Sequence, residues 1–499
     1  MSQSSEVSTS PLNSTAVSRL PAELLVEIFG LCWKGFEPHF GDIKSPTGRE
    51  DSEESQPSLT TATFETEITR VAHAPLLIVS RVCTAWRAVA VGTPSLWCEI
   101  ELDTVLFDTS RHIQTATQLL ALQLARSGDS LITVDLTELG SDDPFPESVL
   151  DILMNNMARC RSLACSMPSF NALCPNPEQL RRLHSLWIHT AVGDEESLEP
   201  LALLPHLSCL TTPGRRLVDN LECLPIGNLE RSHSRPTLAQ EMPKVLAFAR
   251  NLPRGALFHL ELWLFGDPQL WTVLAFQPTI AAIGILYIKF SHEFELLEAQ
   301  IALGTIITHL TLPNLQRFEV ESQNYPRLPV IWPHPEFLAL SARSDFHAHL
   351  RELEIYEVQL TETQLLECLS ELHALERLAI SDHQLVDDGG VDQLLITDGL
   401  FSKLSYAPGS LCLVPRLSSL GFQTLLRFDD NALLALAVSR LQECDELKNG
   451  GVFGIELSWL PGSERKIDEV VLQKIHDLKI STRRRFTFDL AEAESMWVS

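Results

Sequence analysis

One six-residue pattern constrains this chain more than anything else in it: apolar-x-x-apolar-x-apolar. It recurs as "LITVDL" (131–136), "LHSLWI" (183–188), "LSCLTT" (207–212, with a weak last position), "LFHLEL" (257–262), "IGILYI" (283–288) and "ITHLTL" (307–312). "LQRFEV" (315–320), "LRELEI" (350–355), "LERLAI" (375–380) and "LSSLGF" (417–422) extend it. Counted at the fourth position, Leu186 to Leu210 spans 24 residues, Leu260 to Leu286 spans 26, Leu286 to Leu310 spans 24 and Leu353 to Leu378 spans 25. A short strand that returns at so regular an interval cannot bury its apolar side alone, so neighbouring copies must stack and share one core.

Steps of this size match a leucine-rich repeat, in which each turn carries one strand and one outer segment. Before Leu378, "TETQLLECLSEL" supplies such an outer helix, with Leu365, Leu366 and Leu369 facing inward. The intervals from 210 to 260 and from 378 to 420 break the period. "LQRFEV" also begins only eight residues after "ITHLTL", so one of those two is not expected to be a strand. The expected fold class is α/β, with an irregular leucine-rich-repeat solenoid over 101–430. A less regular α/β or helical array is the alternative. Residues 431–499 hold a helix-like "NALLALAVSRL", a strand-like "GVFGIELSW" and a short helix around "DEVVLQKIHDL", and are expected to cap the last repeat.

With 45% apolar residues among 499, the chain has the material for a real core. Its 65 acidic against 38 basic residues leave a net charge of −27, a field that repels phosphate backbones and anionic lipid. Neither nucleic acid nor membrane is expected as a partner. The 11 cysteines form no C-x-x-C pair and read as reduced core thiols. The opening "MSQSSEVSTSPLNSTAV" has neither a basic nor an apolar signal segment, and residues 1–17 read as a disordered tail. No apolar run reaches the roughly 20 residues of a membrane span, so a cytoplasmic or nuclear location is expected.

Ahead of the repeats, "LPAELLVEIFGLCW" puts Pro21 at a first helical position and returns apolar residues at Leu24, Leu25, Ile28, Phe29 and Cys32, an amphipathic helix. The polar, acidic stretch from about 41 to 73 has too little apolar surface to offset the entropy of ordering it, and reads as a flexible insertion. "VSRVCTAWRAVAVGTPSLW" (79–97) then repeats Val79, Val82, Cys83, Trp86 and Val89 at helical spacing. Gly92 and Pro94 stop that helix and leave Leu96 and Trp97 beyond it.

Taken in order, these features resemble the F-box motif of fungal type, over residues 18–100. The resemblance implies a small helical unit that docks on a Skp-type adaptor, itself joined to a cullin scaffold, while the repeat region holds a protein target for ubiquitin transfer. The adaptor-facing residues it implies are Leu20, Pro21, Ile28, Phe29, Val82, Cys83, Trp86, Leu96 and Trp97. The long insertion departs from the family's short connection, although the entropy of closing a loop grows only logarithmically with its length. A non-ligase scaffold that binds the adaptor alone is the alternative. Independently of the resemblance, about 50 ordered residues cannot bury all these large side chains, so an apolar patch is expected to remain. Packing onto a strand around "CEIELD" is the competing use for them.

The usual signatures of phosphate loops, zinc proteases and nucleophile elbows are missing. No catalytic residue, cofactor or metal is therefore expected, and His184 and His189 on one strand would point to opposite faces. In the repeat register, positions three, five and seven of each segment face the concave side. That face would carry Trp187, Trp263, Tyr287 and Tyr356 beside Glu261, Lys289, Glu352, Glu354 and Arg377. Aromatic anchors among charges suit a protein ligand. The expected target-binding set is Trp187, Trp263, Tyr287, Glu352, Glu354 and Tyr356, with basic target segments near Glu352 and Glu354. Their alternative use is as cross-strand pairs that stiffen the sheet.

Overall fold

The computed structural model describes residues 21–34, 80–103, 107, 109–137, 145–175, 177–189, 201, 203–213, 226–236, 239–263, 268–290, 296–322, 329–382, 394–406, 413–443, 452–460, 465–482 and 486–492. The expected N-terminal tail, Leu20, Val79 and the acidic insertion lie outside these residues. The chain divides into two compact units between residues 196 and 197.

In the first unit, helices α1 (Ala22–Lys34) and α2 (Thr84–Gly92) and a 3-10 turn at Pro94–Trp97 precede a parallel sheet. The thiol of Cys83 caps α2 by accepting the Trp86 backbone N–H at 3.4 Å. Strands β1 (Glu99–Asp103), β2 (Ile132–Thr137), β3 (Cys160–Ser166) and β4 (Ser185–His189) pair in chain order. Parallel neighbours cannot be joined by a tight turn. Helices α3 (Ser110–Ser127) and α4 (Glu147–Met154) make the first crossovers, and α5 (Met167–Leu173) begins the third. The register sets Ile100 beside Val134, Val134 beside Leu163 and Leu163 beside Leu186, all buried.

The second unit repeats this arrangement over ten parallel strands, again in chain order. They are β5 (Cys209–Pro213), β6 (Arg231–Arg235), β7 (Leu257–Leu262), β8 (Ile285–Phe290), β9 (Arg317–Ser322), β10 (Glu352–Tyr356), β11 (Arg377–Ser381), β12 (Ser419–Thr424), β13 (Phe453–Trp459) and β14 (Phe486–Glu492). One buried column crosses them: Leu210, Ser232, Phe258, Leu286, Phe318, Leu353, Leu378, Leu420 and Ile455 are paired in succession. Helices α6 (Met242–Asn251), α7 (Leu296–His309), α8 (His334–Ser344), α9 (Glu362–Ser370), α10 (Asp398–Leu404), α11 (Asp430–Glu443) and α12 (Glu469–Ser481) connect the strands. The region is mixed helix and parallel strand, and leucine-rich-repeat-like in its order of elements.

Several expected registers change. Strand β6, "RSHSR", fills the gap from 210 to 260 without a single leucine, and its inward residues Ser232 and Ser234 are fully enclosed. "LFHLEL" is shifted by two residues, because Phe258 rather than Leu260 pairs with Leu286. "ITHLTL" is not a rung: Leu310–Thr311 pairs only with Thr279–Ile280 in a separate two-stranded bridge, and "LQRFEV" is the rung. The interval from 378 to 420 is one long excursion between directly paired strands. Asp382, 1% exposed, pins that excursion. Its carboxylate accepts the N–H groups of Leu395 and Ile396 at 2.8 Å, the Thr424 hydroxyl at 2.8 Å and the Leu425 N–H at 3.1 Å. Residues 453–492 extend the ladder by two strands.

A turn precedes many rungs that the six-residue pattern leaves out. Leu183, Leu207, Leu315, Leu375 and Leu417 each donate a backbone N–H to the carbonyl three residues earlier, on Leu180, Leu204, Leu312, Leu372 and Val414. All ten side chains are buried. The unit that folds is thus a nine-residue L-x-x-L-x-x-L-x-L rather than its last six residues.

Arginines close the other side of the repeats. Helix C-termini leave carbonyls without intrahelical donors, and in three places an arginine from the following repeat supplies them. Arg159 donates to Leu124 O at 3.1 Å in the last turn of α3, Arg343 to Leu310 O at 2.6 Å just past α7, and Arg440 to Leu404 O at 2.7 Å at the end of α10. Arg440 also reaches Val414 O at 2.8 Å and is 0% exposed. Replacing Arg440 with Met keeps the bulk and removes the donors, so urea unfolding is expected to show a loss of roughly 3 kcal/mol. An unchanged midpoint would contradict this role.

Candidate functional site

The N-terminal helices form their own small core. Leu25, Phe29, Ala90 and Trp97 are buried together, with Trp86, Val89 and Leu96 packed on them. Phe29 and Trp86 lie 5.3 Å apart at ring centroids. The Trp97 indole donates to Ala90 O at 2.6 Å, and the Arg126 guanidinium sits 4.4 Å over its ring. Phe29 and Trp97, 1% and 3% exposed, are therefore interior residues here rather than surface ones. Trp86 and Leu96 are half-buried, while Pro21, Ile28, Val82 and Cys83 are exposed. Leu24 and Val91, outside the expected adaptor-facing set, are exposed as well. The four-residue spacing of Leu24 and Ile28 was the signal available for the first.

The open side of the second unit's ladder is built from alternate residues of each strand. In its middle row, His233 pairs with His259, His259 with Tyr287, Tyr287 with Glu319, and Glu319 with Glu354. The rings stack, His233 on His259 at 3.9 Å and His259 on Tyr287 at 4.2 Å. Parallel rungs bring equivalent side chains close together, so flat rings fit face to face.

Further along, the same rows become an ion network. Arg317 reaches Glu319 at 2.8 Å, Glu354 at 3.1 Å and Glu352 at 3.6 Å. Arg377 lies 3.3 Å from Glu354, too poorly aligned for a hydrogen bond, and reaches Glu456 at 3.1 Å. The Tyr356 hydroxyl donates to Glu354 at 2.9 Å. Burial lowers the affinity of Arg317 and Arg377 for their protons, but Glu354 and its neighbours outweigh it and raise both. Burial, then Glu354, raises Glu319. Burial and Glu354 likewise raise Tyr356, which stays protonated.

This geometry redistributes the expected target-binding residues. Glu354 is 3% exposed, and its carboxylate is occupied by Arg317, Arg377 and Tyr356. Tyr287 is half-buried, stacked on His259 and bonded to Glu321. Glu352 keeps 39% of its side chain open. Trp187, in the first unit, and Trp263, just past the end of β7, are 39% and 36% exposed. The face that sequence assigned to a partner is thus largely paired with itself.

One other cluster has the connectivity of a nucleophile, base and orienting acid. Cys368 Sγ lies 3.6 Å from His334 Nδ1, and His334 Nε2 lies 2.7 Å from Glu367. Cys368 is 1% exposed, and burial pushes its thiol up to about 12. A thiol that is neither ionised nor reachable supports no attack.

Glu357 follows β10 with φ 53, and its N–H donates to Ser381 Oγ at 2.6 Å. Burial and then Glu321 raise its carboxyl from 4.5 to about 7. The folded state holds this proton more tightly than the unfolded chain does, so its contribution is complete below 4.5 and is lost as pH rises to about 7. Denaturant midpoints are expected to fall across that window, and Glu357→Gln is expected to flatten the fall. A wild-type profile matching the variant's would contradict it.

No family model matches the chain, and no curated protein matches it. Among solved structures it is similar to TLR13, as seen in the crystal structure of its complex with ssRNA13, at 13% identity and a TM-score of 0.37. That likeness covers 73% of this chain and 46% of TLR13, so the matched part spans less than half of that protein.

Proposed function

We propose that this chain is a non-catalytic receptor, the substrate-recognition subunit of a Skp-cullin-F-box type ubiquitin ligase. Its N-terminal helices dock the adaptor, and its repeat region holds a protein target. What supports this reading most is the apolar surface left exposed after the first two helices have closed on their own core. Leu24, Ile28, Val82 and Val91 are 45%, 36%, 58% and 41% exposed. Single exposed leucines or valines are ordinary, but four on so small a helical unit invite an apolar partner. Buried Phe29 and Trp97 then act by fixing the helix pair that presents these side chains.

Such a receptor works by proximity. Holding a target beside a separate enzyme raises its effective concentration there, and no residue of the receptor touches the transferred group. The self-paired ladder suits a rigid platform that needs little ordering when it binds. Trp263 and the half-open carboxylates of Glu352 and Glu456 are its remaining contacts for a basic, partly apolar segment. No helix among the described residues is long and apolar enough to cross a membrane.

The test is a pulldown of the full chain with a purified Skp-type adaptor, with and without cullin. Leu24→Glu combined with Val82→Glu changes exposed positions only, so circular dichroism should be unaltered while adaptor capture falls by about tenfold or more. A wild-type chain that ignores the adaptor overturns the reading. Capture of adaptor without cullin leaves the scaffold and removes the ligase.

A further inference from the structure

We propose that His233, His259 and Glu261 form a binding site for a divalent transition-metal ion of the zinc type, on the open side of the second unit's ladder. Their ligand atoms all lie within 4.8 Å of one another. His233 and His259 are direct partners across β6 and β7, and Glu261 stands two residues after His259 on the same side of β7. His233 Nε2 is 3.0 Å from Glu261 Oε2. A tetrahedral ion with bonds of about 2.1 Å sets its ligands roughly 3.4 Å apart, a span that the His233–Glu261 separation is already close to.

The second observation is an unmet polar atom. His259 Nε2 is enclosed and has no hydrogen-bond partner, a state that is costly for a buried nitrogen. The His259 ring is stacked nearly parallel to that of His233, at 3°, with Tyr287 on its other face, so one imidazole must turn out of the stack for both nitrogens to face one ion. Neutral imidazole and ionised carboxylate are the ligating forms. Two imidazoles and a carboxylate suit zinc and leave a fourth position for water or a partner's side chain.

Such an ion would also tie down the rung that most needs it. Strand β6 turns Ser232 and Ser234 inward where the paired positions of β7 are Phe258 and Leu260, so it contributes little apolar burial of its own. A His–metal–Glu bridge to β7 supplies the missing attachment. Opposing it is Arg235, whose Nε lies 2.7 Å from Glu261 Oε2 with 35% of its side chain exposed. This competing cation must swing into solvent for the ion to enter. Spacing rules could not find the site, because its ligands come from two strands and one of those carries no leucine.

The experiment titrates the full chain, stripped of metal, with Co²⁺ alone and follows the visible d–d absorbance. One equivalent bound without a thiolate charge-transfer band is expected, along with a rise in the thermal midpoint on adding Zn²⁺. His259→Ala and Glu261→Gln should each weaken binding on the order of tenfold. Arg235→Gln should tighten it several-fold, which a purely structural role would not produce. Absence of uptake, or uptake equal in the wild type and both ligand variants, overturns the proposal. Should the ligand variants fail to fold, Arg235→Gln decides, and affinity no tighter than wild type overturns it.

Discussion

The column of side chains running from Leu210 to Ile455 is the constraint from which the rest of the second unit follows. Each parallel strand stands about 4.8 Å from the next, and its inward residues must fill the space between sheet and helices without a gap. Once those positions are fixed, the alternate residues are forced to the other side, where equivalent positions of adjacent rungs sit in a row. Side chains in such a row cannot avoid one another. They must stack, as His233, His259 and Tyr287 do, or alternate in charge with the rows beside them. Glu319 and Glu354 are direct neighbours of like charge, and the pair is tolerable because Arg317 and Arg377 lie against it. The ion network is thus a consequence of the register as much as a device for binding.

The same reasoning explains what could be read in advance. Leucines mark a rung when burial is what holds it, so the pairing of Leu353 with Leu378 followed from spacing alone. Strand β6 was invisible because serines do its inward packing and its attachment comes from neighbouring strands. The two-residue slip at "LFHLEL" was harmless to face assignment, since side-chain direction repeats every second residue. Phe258 and Leu260 both remain buried. "ITHLTL" misled because the end of a helix and a strand share an apolar pattern over six residues. Before five rungs the apolar residue three positions ahead of the pattern, Leu180, Leu204, Leu312, Leu372 or Val414, was there to read, and counting nine positions rather than six would have separated "LPNLQRFEV" from its neighbour.

Side-chain occupancy was less legible than backbone order. Exposure of Trp187 and Trp263 follows from position in the strand, but Glu354 is spent on arginines that lie 37 residues before it and 23 residues after it. Nothing in a single strand announces such a partner. The arginines that cap helices in the preceding repeat pose the same difficulty, because their acceptors are backbone carbonyls and leave no trace in residue type. They also explain how the repeat tolerates uneven length. The long excursion after β11 is held at both ends by Asp382, and the helix within it is closed by Arg440, so the ladder passes over it without losing register.

Two uncharged residues govern how far the network extends. Arg377 on β11 meets Glu456 on β13, with β12 between them. The path is open because the intervening middle-row positions are Ala379 and Gly421. A Cβ built at 421 would stand 3.0 Å from that of Ala379, so any larger side chain there must fill the gap through which the guanidinium passes. The absence of side-chain volume at one rung lets charges on its two neighbours pair, and that pairing carries the network two strands further than adjacent contacts alone could. A partner that binds this face therefore meets a surface whose central charges are already satisfied, and its footholds are the rim groups that the network leaves half open.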